Sequence, residues 1–377
     1  MNVPVWDSGR RLALPPLAHD VEADVCVVGL GGSGLAAVHE LLDLGVRVVG
    51  LDAGPVAGAA AGRNGGFLLA GLAPFHHDAV AAFGRDRAVA LYRLTLAQLD
   101  RMTAETPEAI RRVGSLRIAA SDEEAADCAR QLAAMRADDL PVEPYRGPEG
   151  EGLLLPTDGV YHPQRRCLAL AARAVERGAR LFEHSPVTDV AGWLVTATGG
   201  RVRCAAALVM VDGALGRLLP ELAGRVREAR LQMLATAPER GVRLTRPVYT
   251  RWGYDYWQQL EDGRVVLGGC RDLHEAAEWT SDASPSVAVQ GGLDRLLRER
   301  LRVAAPVTHR WAATVAYTPD GLPVCEEVRP RVYAAGAYSG TGNVVGALCG
   351  RALAQLAVTG RSALGALLGE PPREARG

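Results

Sequence analysis

The stretch DVCVVGLGGSGLAAVHELLDLGVRVVGLD, residues 24–52, decides the fold. A short apolar run ends at Val28 in a glycine-rich turn, and the residues after the turn place apolar side chains at helical spacing as far as Gly45. A second β-branched run then ends at Asp52. The pattern predicts a strand, a tight turn, a helix and a second strand, which together open a parallel sheet.

Three glycines, Gly29, Gly31 and Gly34, have G-x-G-x-x-G spacing between the predicted strand and helix. The first permits a tight turn, the second lets a pyrophosphate approach the backbone, and the third allows close helix packing. Asp52 is placed to accept hydrogen bonds from an adenosine ribose, and its charge disfavours a 2′-phosphate. The spacing predicts a dinucleotide site but does not distinguish NAD from FAD.

The amino-acid composition is that of a folded protein with nearly equal numbers of acidic and basic residues. The chain has 377 residues, 48% of them hydrophobic, which favours two domains or one elaborated domain. The net charge of -1 gives no reason to expect nucleic acid or an anionic membrane as a partner. All 42 basic residues counted as Lys plus Arg are arginine, so lysine Schiff-base chemistry and a P-loop lysine are excluded.

The 7 cysteines are scattered without metal-ligand spacing, so we expect no metal site and no disulfide framework. The first residues lack the apolar core of a signal peptide, and no apolar run approaches about 18 residues. We therefore expect a cytoplasmic protein without a membrane span.

Later segments add a predicted hairpin and a predicted glycine-rich loop. Asp262-Gly263 separates two runs of strand-forming residues within 247–270, which predicts antiparallel sheet. Residues 331–337 predict a buried strand that leads through SGTGN into a helix over 343–358.

Four ordered segments resemble the D-amino-acid-oxidase-like FAD family. They are AGRNGGF (61–67), YDYWQQLEDGRVVLGGCRD (254–272), WAATVAYTPDGLPV (311–324) and AAGAYSGTGNVVGALCGRALAQLAVTG (334–360). The similarity runs from about Val5 to Gly360 and is greatest to amine oxidases of the gamma-glutamylputrescine oxidase type, with monomeric sarcosine oxidase and glycine oxidase more distant.

The resemblance implies an α/β (α+β overall) protein with a Rossmann-like FAD-binding domain and a second domain with a mixed or antiparallel sheet. The FAD-binding domain would comprise residues 1–75, 155–215 and 308–377, and the substrate domain residues 76–154 and 216–307. The active site would lie between them.

The implied activity is oxidation of a C–N bond in a primary or secondary amine, or an amino acid, to an imine by hydride transfer to flavin N5. Oxygen or another acceptor would then take the electrons. The family's covalent cysteine corresponds to about Ala313, so FAD would bind noncovalently, and no lysine follows Gly268-Gly269-Cys270 to activate oxygen. A non-catalytic flavin- or nucleotide-binding subunit and an NAD-dependent dehydrogenase are the alternatives.

The resemblance also implies the cofactor contacts. Arg63 would donate to a ring or phosphate of the cofactor, and the backbone of Val187 would meet the adenine. The expected cofactor-binding residues are Gly29, Gly31, Ser33, Gly34, Asp52, Ala53, Arg63, Asn64, Gly65, Gly66, Val187, Gly336, Gly340, Thr341 and Gly342.

The expected substrate contacts are mainly aromatic. Period two predicts that Trp252, Tyr254 and Tyr256 share one strand face, where their rings would hold an amine. The expected substrate-lining residues are Trp252, Tyr254, Tyr256, Trp311, Tyr338 and Thr341. The final loop lacks the cation that clamps an α-carboxylate in the family's amino-acid oxidases, so either the substrate lacks that group or a cation such as Arg251 reaches in.

Overall fold

The computed structural model describes residues 2–369, and the strands in this range form four sheets. Residue 1 and residues 370–377, which fall within the predicted FAD-binding domain, lie outside the described residues.

A six-stranded sheet forms around the stretch that opens the sequence. Its strands are parallel except for the last pair, which is antiparallel. In spatial order they are β10 (Arg180–Phe182), β3 (Val48–Leu51), β2 (Val25–Val28), β14 (Ala206–Val209), β21 (Val332–Gly336) and β20 (Val324–Arg329). The central strands are buried throughout because helices or loops cover both faces.

Two helices pack against each other on one face of this sheet. Helix α1 (Gly32–Asp43) follows β2, and helix α10 (Val345–Thr359) follows the loop after β21. A Cβ atom at Gly350 would lie 2.1 Å from the backbone oxygen of Ser33, so glycine is required where the helices meet. Gly350 thus allows the close contact of α10 with α1.

An eight-stranded, mainly antiparallel sheet forms the second layer; only its β16–β6 pair is parallel. In spatial order its strands are β19 (Val307–Tyr317), β15 (Arg227–Pro238), β18 (Arg264–Gly268), β17 (Asp255–Gln259), β16 (Val248–Thr250), β6 (Ser115–Ile118), β8 (Gly150–Leu155) and β7 (Glu143–Gly147). The predicted hairpin at Asp262-Gly263 is confirmed as β17 and β18.

The two faces of this sheet have different partners. One row of apolar side chains, including Val248, Trp257 and Leu267, packs on helix α9 (Val287–Arg295). The alternate row joins Tyr249, Tyr256, Gly268, Met233 and Trp311 in register across five strands. This second face is turned towards the first layer, because Met233 and Trp311 form a core cluster with Trp6 of the N-terminal segment.

Two smaller sheets and the remaining helices complete the described chain. The sheets contain β1 (Val21–Glu22), β13 (Gly200–Arg203), β12 (Leu194–Ala197) and β11 (Val187–Ala191), and β4 (Phe67–Leu68), β9 (Gly159–Tyr161) and β5 (Ile110–Arg111). The helices are α2 (Ala60–Arg63), α3 (His76–Phe83), α4 (Arg85–Glu105), α5 (Asp122–Ala137), α6 (Pro163–Glu176), α7 (Leu215–Leu218), α8 (Glu275–Glu278) and α11 (Ala363–Leu368).

The predicted fold class is confirmed: the protein combines a Rossmann-like parallel layer with a mixed, mainly antiparallel sheet. The division into two domains at the stated residues stays a prediction. Within residues 2–369, no helix has the length and apolar character needed to cross a bilayer.

Gly350→Ala tests the packing of α1 on α10. The added methyl group meets the Ser33 carbonyl, so the helices must separate, at a cost of about 1–3 kcal/mol. Gly224→Ala is the matched control, because a Cβ atom there would have no heavy atom within 4 Å. Urea unfolding should show Gly350→Ala to be clearly the less stable variant; equal stability would contradict the packing described.

Candidate active site

The glycine-rich turn between β2 and α1 is packed too tightly for side chains. Gly29 has φ +95°, and a Cβ atom there would lie 2.5 Å from the oxygen of Met210 in the neighbouring chain segment. A Cβ atom at Gly34 would lie 1.8 Å from the oxygen of Gly29. The turn therefore needs glycine at both positions, for the tight turn and for helix packing.

The N-terminus of α1 fits an anionic group. No side chain caps this 12-residue helix and its first turn contains no acidic residue, so its first N–H groups lack a capping partner. These groups and the helix dipole favour a phosphate or pyrophosphate. Gly32 leaves the approach clear, since a Cβ atom there would have no heavy atom within 4 Å, whereas a Cβ atom at Gly31 would lie 3.2 Å from the Cβ atom of Ala61.

Asp52 lies beside this helix end and joins three segments. Its carboxylate accepts hydrogen bonds from the N–H groups of Leu30, at 2.8 Å, and Gly54, at 2.9 Å. Burial raises the pKa of Asp52, and these N–H groups oppose the rise. The Asp52 carbonyl accepts from Ser185 N–H at 2.7 Å, which brings the start of the strand that carries Val187 close to the same edge. Ala53 is exposed next to Asp52.

Arg63 is held by the chain itself. Its Nε donates to the carbonyl of Ala312 at 2.9 Å, and its Nη2 donates to the carbonyl of Asn2 at 3.0 Å. The guanidinium group is thus engaged by β19 and the N-terminal segment. The backbone oxygens take donors of Nε and Nη2 only, so the donation of Arg63 to a cofactor ring or phosphate stays a prediction.

The glycines after Arg63 form the junction between the two layers. Asn64 Oδ1 accepts from Gly66 N–H at 2.9 Å and fixes the turn. A Cβ atom at Gly65 would lie 3.1 Å from the ring of Tyr256, and the Gly65 carbonyl accepts from Gln258 Nε2. Protein contacts therefore account for both glycines, and the expected flavin contact stays a prediction.

The predicted aromatic face is wrong for Trp252. Strand β17 begins only at Asp255, and Arg251 and Trp252 have positive φ values of 53° and 54°. Period two therefore does not extend back through Trp252, whose indole Nε1 donates to Asp127 at 2.6 Å instead. Tyr254 is 39% exposed, and Tyr256 faces the junction, where its ring meets Phe67 edge-on.

Two expected substrate-lining aromatics are core residues. Trp311 is fully buried, and its Nε1 donates to the carbonyl of Arg63 at 2.7 Å. Tyr338 is buried in the first layer, and its hydroxyl donates to Ser33 Oγ at 2.9 Å. Tertiary contacts thus hold both side chains, and their role as substrate-lining residues stays a prediction. Ser33, an expected cofactor-binding residue, is the acceptor of the Tyr338 hydroxyl.

The final glycine-rich loop turns sharply before α10. Ser339 and Gly340 have φ values of 50° and 89°, and Thr341 Oγ1 donates to the carbonyl of Tyr338 at 2.8 Å. A Cβ atom at Gly342 would lie 2.9 Å from the Tyr338 ring. Helix α10 has neither a side-chain cap nor an acidic residue in its first turn, so this end also suits a partial negative charge.

A buried carboxylate connects this loop to the neighbouring strand, and the sequence did not reveal it. Asp212 follows β14, and its Oδ1 accepts from Ala337 N–H at 2.8 Å. Gly336 allows this approach, because a Cβ atom there would lie 2.8 Å from the Cα atom of Asp212. Burial raises the pKa of Asp212 to about 6, while backbone N–H groups oppose the rise.

Two further residues at the junction were missed. Tyr317 lies on the same face of β19 as Trp311, and its hydroxyl is 4.0 Å from the Cβ position of Gly340. The buried guanidinium group of Arg271 stands over the Tyr317 ring at 5.0 Å. Both residues lie within the segments that carry the family resemblance, since Arg271 follows Gly-Gly-Cys and Tyr317 precedes Thr-Pro-Asp. Within residues 2–369, no three His, Cys, Asp or Glu side chains form a metal-ligand group.

The family model described as FAD dependent oxidoreductase (DAO) matches residues 24–356. The chain belongs to this family. It is therefore a FAD-dependent oxidoreductase, and the resemblance found in the sequence is confirmed. The uncapped α1 N-terminus, with Asp52 beside it, fits the diphosphate and the adenosine ribose of FAD.

Individual relatives agree with this assignment. Over 374 residues the chain is 26% identical to the probable oxidoreductase OrdL of Rhizobium meliloti, covering 93% of this chain and 86% of the relative. It is 25% identical to gamma-glutamylputrescine oxidoreductase of Escherichia coli, covering 90% and 84%. Glycine oxidase of Geobacillus kaustophilus has the same fold, with a TM-score of 0.76 at 21% identity, covering 91% of this chain and 96% of that one.

Asp212→Asn tests the buried carboxylate through the pH dependence of stability. The folded-state pKa of about 6 exceeds the ordinary value of 3.8, so charging Asp212 opposes folding. This cost is absent below pH 3.8 and complete above pH 6, where it reaches about 3 kcal/mol. Asparagine can still accept from Ala337 N–H without becoming charged.

Urea unfolding of Asp212→Asn and the parent, matched for flavin content, measures this effect. The unfolding free energy of the variant should rise relative to the parent between about pH 4 and pH 7. A difference that stays constant over that range would show that Asp212 titrates normally.

Proposed function

We propose that this protein binds FAD noncovalently in the cleft between its two layers and oxidises a C–N bond of a primary or secondary amine, or an amino acid, to an imine. The observation that carries the proposal is the contact between Tyr256 and Gly65. Tyr256 lies on the inner face of the eight-stranded sheet, and Gly65 lies in the segment that follows β3 and Asp52. An aromatic ring next to this loop supports a substrate site beside the cofactor.

The residues of the first layer would hold the cofactor. N–H groups at the start of α1 would bind its diphosphate, and Asp52 would accept from the ribose. The start of α10 and the N–H groups of Gly340 and Gly342 would stabilise negative charge on the reduced cofactor. Position 313 on β19 is alanine, which supports noncovalent binding.

The second layer would hold the substrate. Tyr256, Tyr254 and Tyr317 would bind the apolar part of the amine and exclude water from its α-carbon. FAD, when bound, supplies the two-electron acceptor for the C–H bond of that carbon. An amine that binds in its neutral form needs no side chain as a base, and water then hydrolyses the imine. The name of the Escherichia coli relative, gamma-glutamylputrescine oxidoreductase, supports an amine as substrate.

The purified protein should be yellow, and acid precipitation should release intact FAD. Anaerobic addition of primary amines, secondary amines and amino acids should bleach the flavin band for at least one class. Return of colour in air identifies an oxidase, whereas persistent bleaching identifies a dehydrogenase with another acceptor. Yellow protein that no amine bleaches would favour a non-catalytic flavin-binding subunit, and colourless protein that binds NAD would overturn the proposal. A cytoplasmic location of the protein stays a prediction.

Asp52→Ala should weaken FAD binding about tenfold to a hundredfold, because it removes a charged hydrogen-bond acceptor. Asp24→Ala is the matched control, since Asp24 precedes β2 at the opposite edge of the sheet and pairs with Arg47. Fluorescence titration of the deflavinated proteins with FAD measures both. Equal affinities would show that Asp52 does not contact the cofactor.

A further inference from the structure

Two buried thiols, those of Cys325 and Cys349, lie side by side behind the final loop. Cys325 is on β20 and Cys349 is on α10, and both belong to the core cluster that packs this helix on the six-stranded sheet. The Cys325 thiol donates to the carbonyl oxygen of Cys349, which lies 3.9 Å from its Sγ. Both residues are free cysteines. The strand and the helix therefore meet at a pair of oxidisable groups.

The two thiols differ in their surroundings. Cys349 is fully buried, and its hydrogen bond with Cys325, together with burial, raises its pKa. Cys325 lines a cavity of about 900 Å³ between β20, α10 and α11, together with Leu322, Leu356 and Ser362. A small solute that enters this cavity meets Cys325 first, and Cys349 lies behind it.

Cys349 is one turn along α10 from the contact that holds the final loop. A Cβ atom at Gly346 would lie 3.2 Å from the Tyr338 ring and 3.5 Å from Ser33 Oγ, which accepts from the Tyr338 hydroxyl. At Gly350, directly after Cys349, α10 meets the Ser33 carbonyl without space for a methyl group. A shift of α10 towards β20 would therefore disturb both contacts with Ser33, at the helix end that fits the FAD diphosphate.

A second pair of neighbouring cysteines lacks this arrangement. Cys26 on β2 and Cys204, which precedes β14, pack in the cluster on the opposite face of the same sheet. Burial, and then the neighbouring Cys204, raise the pKa of Cys26. Neither residue is among the described residues that line the cavity. This pair is an internal control, because it combines two buried thiols without a contact to α10.

We propose that Cys325 and Cys349 form a redox-sensitive pair that hydrogen peroxide oxidises to a disulfide, and that this disulfide weakens the binding of FAD. The pair lies apart from the cleft between the two layers, so its oxidation does not depend on which substrate the protein uses.

The oxidation takes place in two steps. The Cys325 thiolate attacks one oxygen of hydrogen peroxide and the O–O bond breaks, which leaves a sulfenic acid on Cys325 and hydroxide that takes up the thiol proton to form water. The Cys349 sulfur then attacks the Cys325 sulfur, so that the S–S bond forms and the S–O bond breaks. The departing hydroxide takes the Cys349 proton as a second water. Two thiols thus lose two electrons, and one peroxide is reduced to two waters.

The disulfide would act on the cofactor site through α10. A covalent bond holds two sulfur atoms much closer than a non-bonded contact does, so α10 would move towards β20. Gly350 leaves no free space against Ser33, and the Tyr338 hydroxyl would lose its alignment with Ser33 Oγ. Because the loss of one hydrogen bond and the displaced helix end both affect the diphosphate site, FAD should bind about fivefold more weakly.

Peroxide treatment of the holoprotein tests the proposal. The treated protein, unfolded after removal of the peroxide, should have two fewer free thiols than the 7 of the reduced chain. Trypsin cuts after Arg331, between the two cysteines, and should release the peptide with Cys325 joined to the peptide with Cys349. Titration of the deflavinated protein with FAD should show the weaker binding, and dithiothreitol should restore the original affinity.

Three variants act as controls. Cys325→Ser removes the thiol that lines the cavity and should keep its FAD affinity through the same treatment. Cys349→Ala leaves Cys325 without a partner, so Cys325 should become a sulfenic or sulfinic acid without a cross-link. Cys204→Ser removes one member of the control pair and should respond to peroxide as the parent does.

The contrary outcomes are distinct. A treated protein that keeps all its thiols, or a disulfide between Cys26 and Cys204, would overturn the proposal. So would a Cys325–Cys349 disulfide that leaves the FAD affinity unchanged, because the pair would then have no connection to the cofactor site. Weaker FAD binding that persists in treated Cys325→Ser would show that peroxide acts at another residue.

Discussion

The close contact of α1 with α10 is the constraint on which the rest of the structure depends. Gly34 brings the start of α1 onto the turn that contains Gly29, and Gly350 brings α10 onto Ser33. The bond from Tyr338 to Ser33 then ties the final loop to the same helix. As a result two uncapped helix N-termini lie near the carboxyl edge of one parallel sheet, where their dipoles favour negative charge.

The eight-stranded sheet completes the site because the side chains on its inner face differ in size. Gly268 lies opposite Tyr256 on the neighbouring strand, and a Cβ atom there would lie 2.4 Å from the Tyr256 ring. The ring can therefore fold across β18 and reach Gly65. Large core residues such as Trp311 fill one end of the face, whereas Tyr317 and Arg271 lie at the end next to the final loop. The two ends of this face therefore differ in polarity.

Local patterns in the sequence predicted the strand, turn and helix at 24–52, the hairpin at Asp262-Gly263 and the buried strand before the final loop. Each of these depends on residues close together in the chain. The aromatic face failed at Trp252 because Glu124, on a distant helix, accepts from the Arg251 and Trp252 N–H groups and turns the backbone before β17 begins. Burial of Trp311 and Tyr338 depends on segments far apart in sequence, so no local pattern reveals it.

The account's central claim is that FAD occupies the cleft between the two layers. A crystal structure of the protein purified with its flavin tests it most directly. The account predicts density for the diphosphate at the start of α1 and for the isoalloxazine ring between Tyr256 and the loop that contains Gly340. Flavin bound elsewhere, or these surfaces closed on each other with no flavin between them, would contradict it.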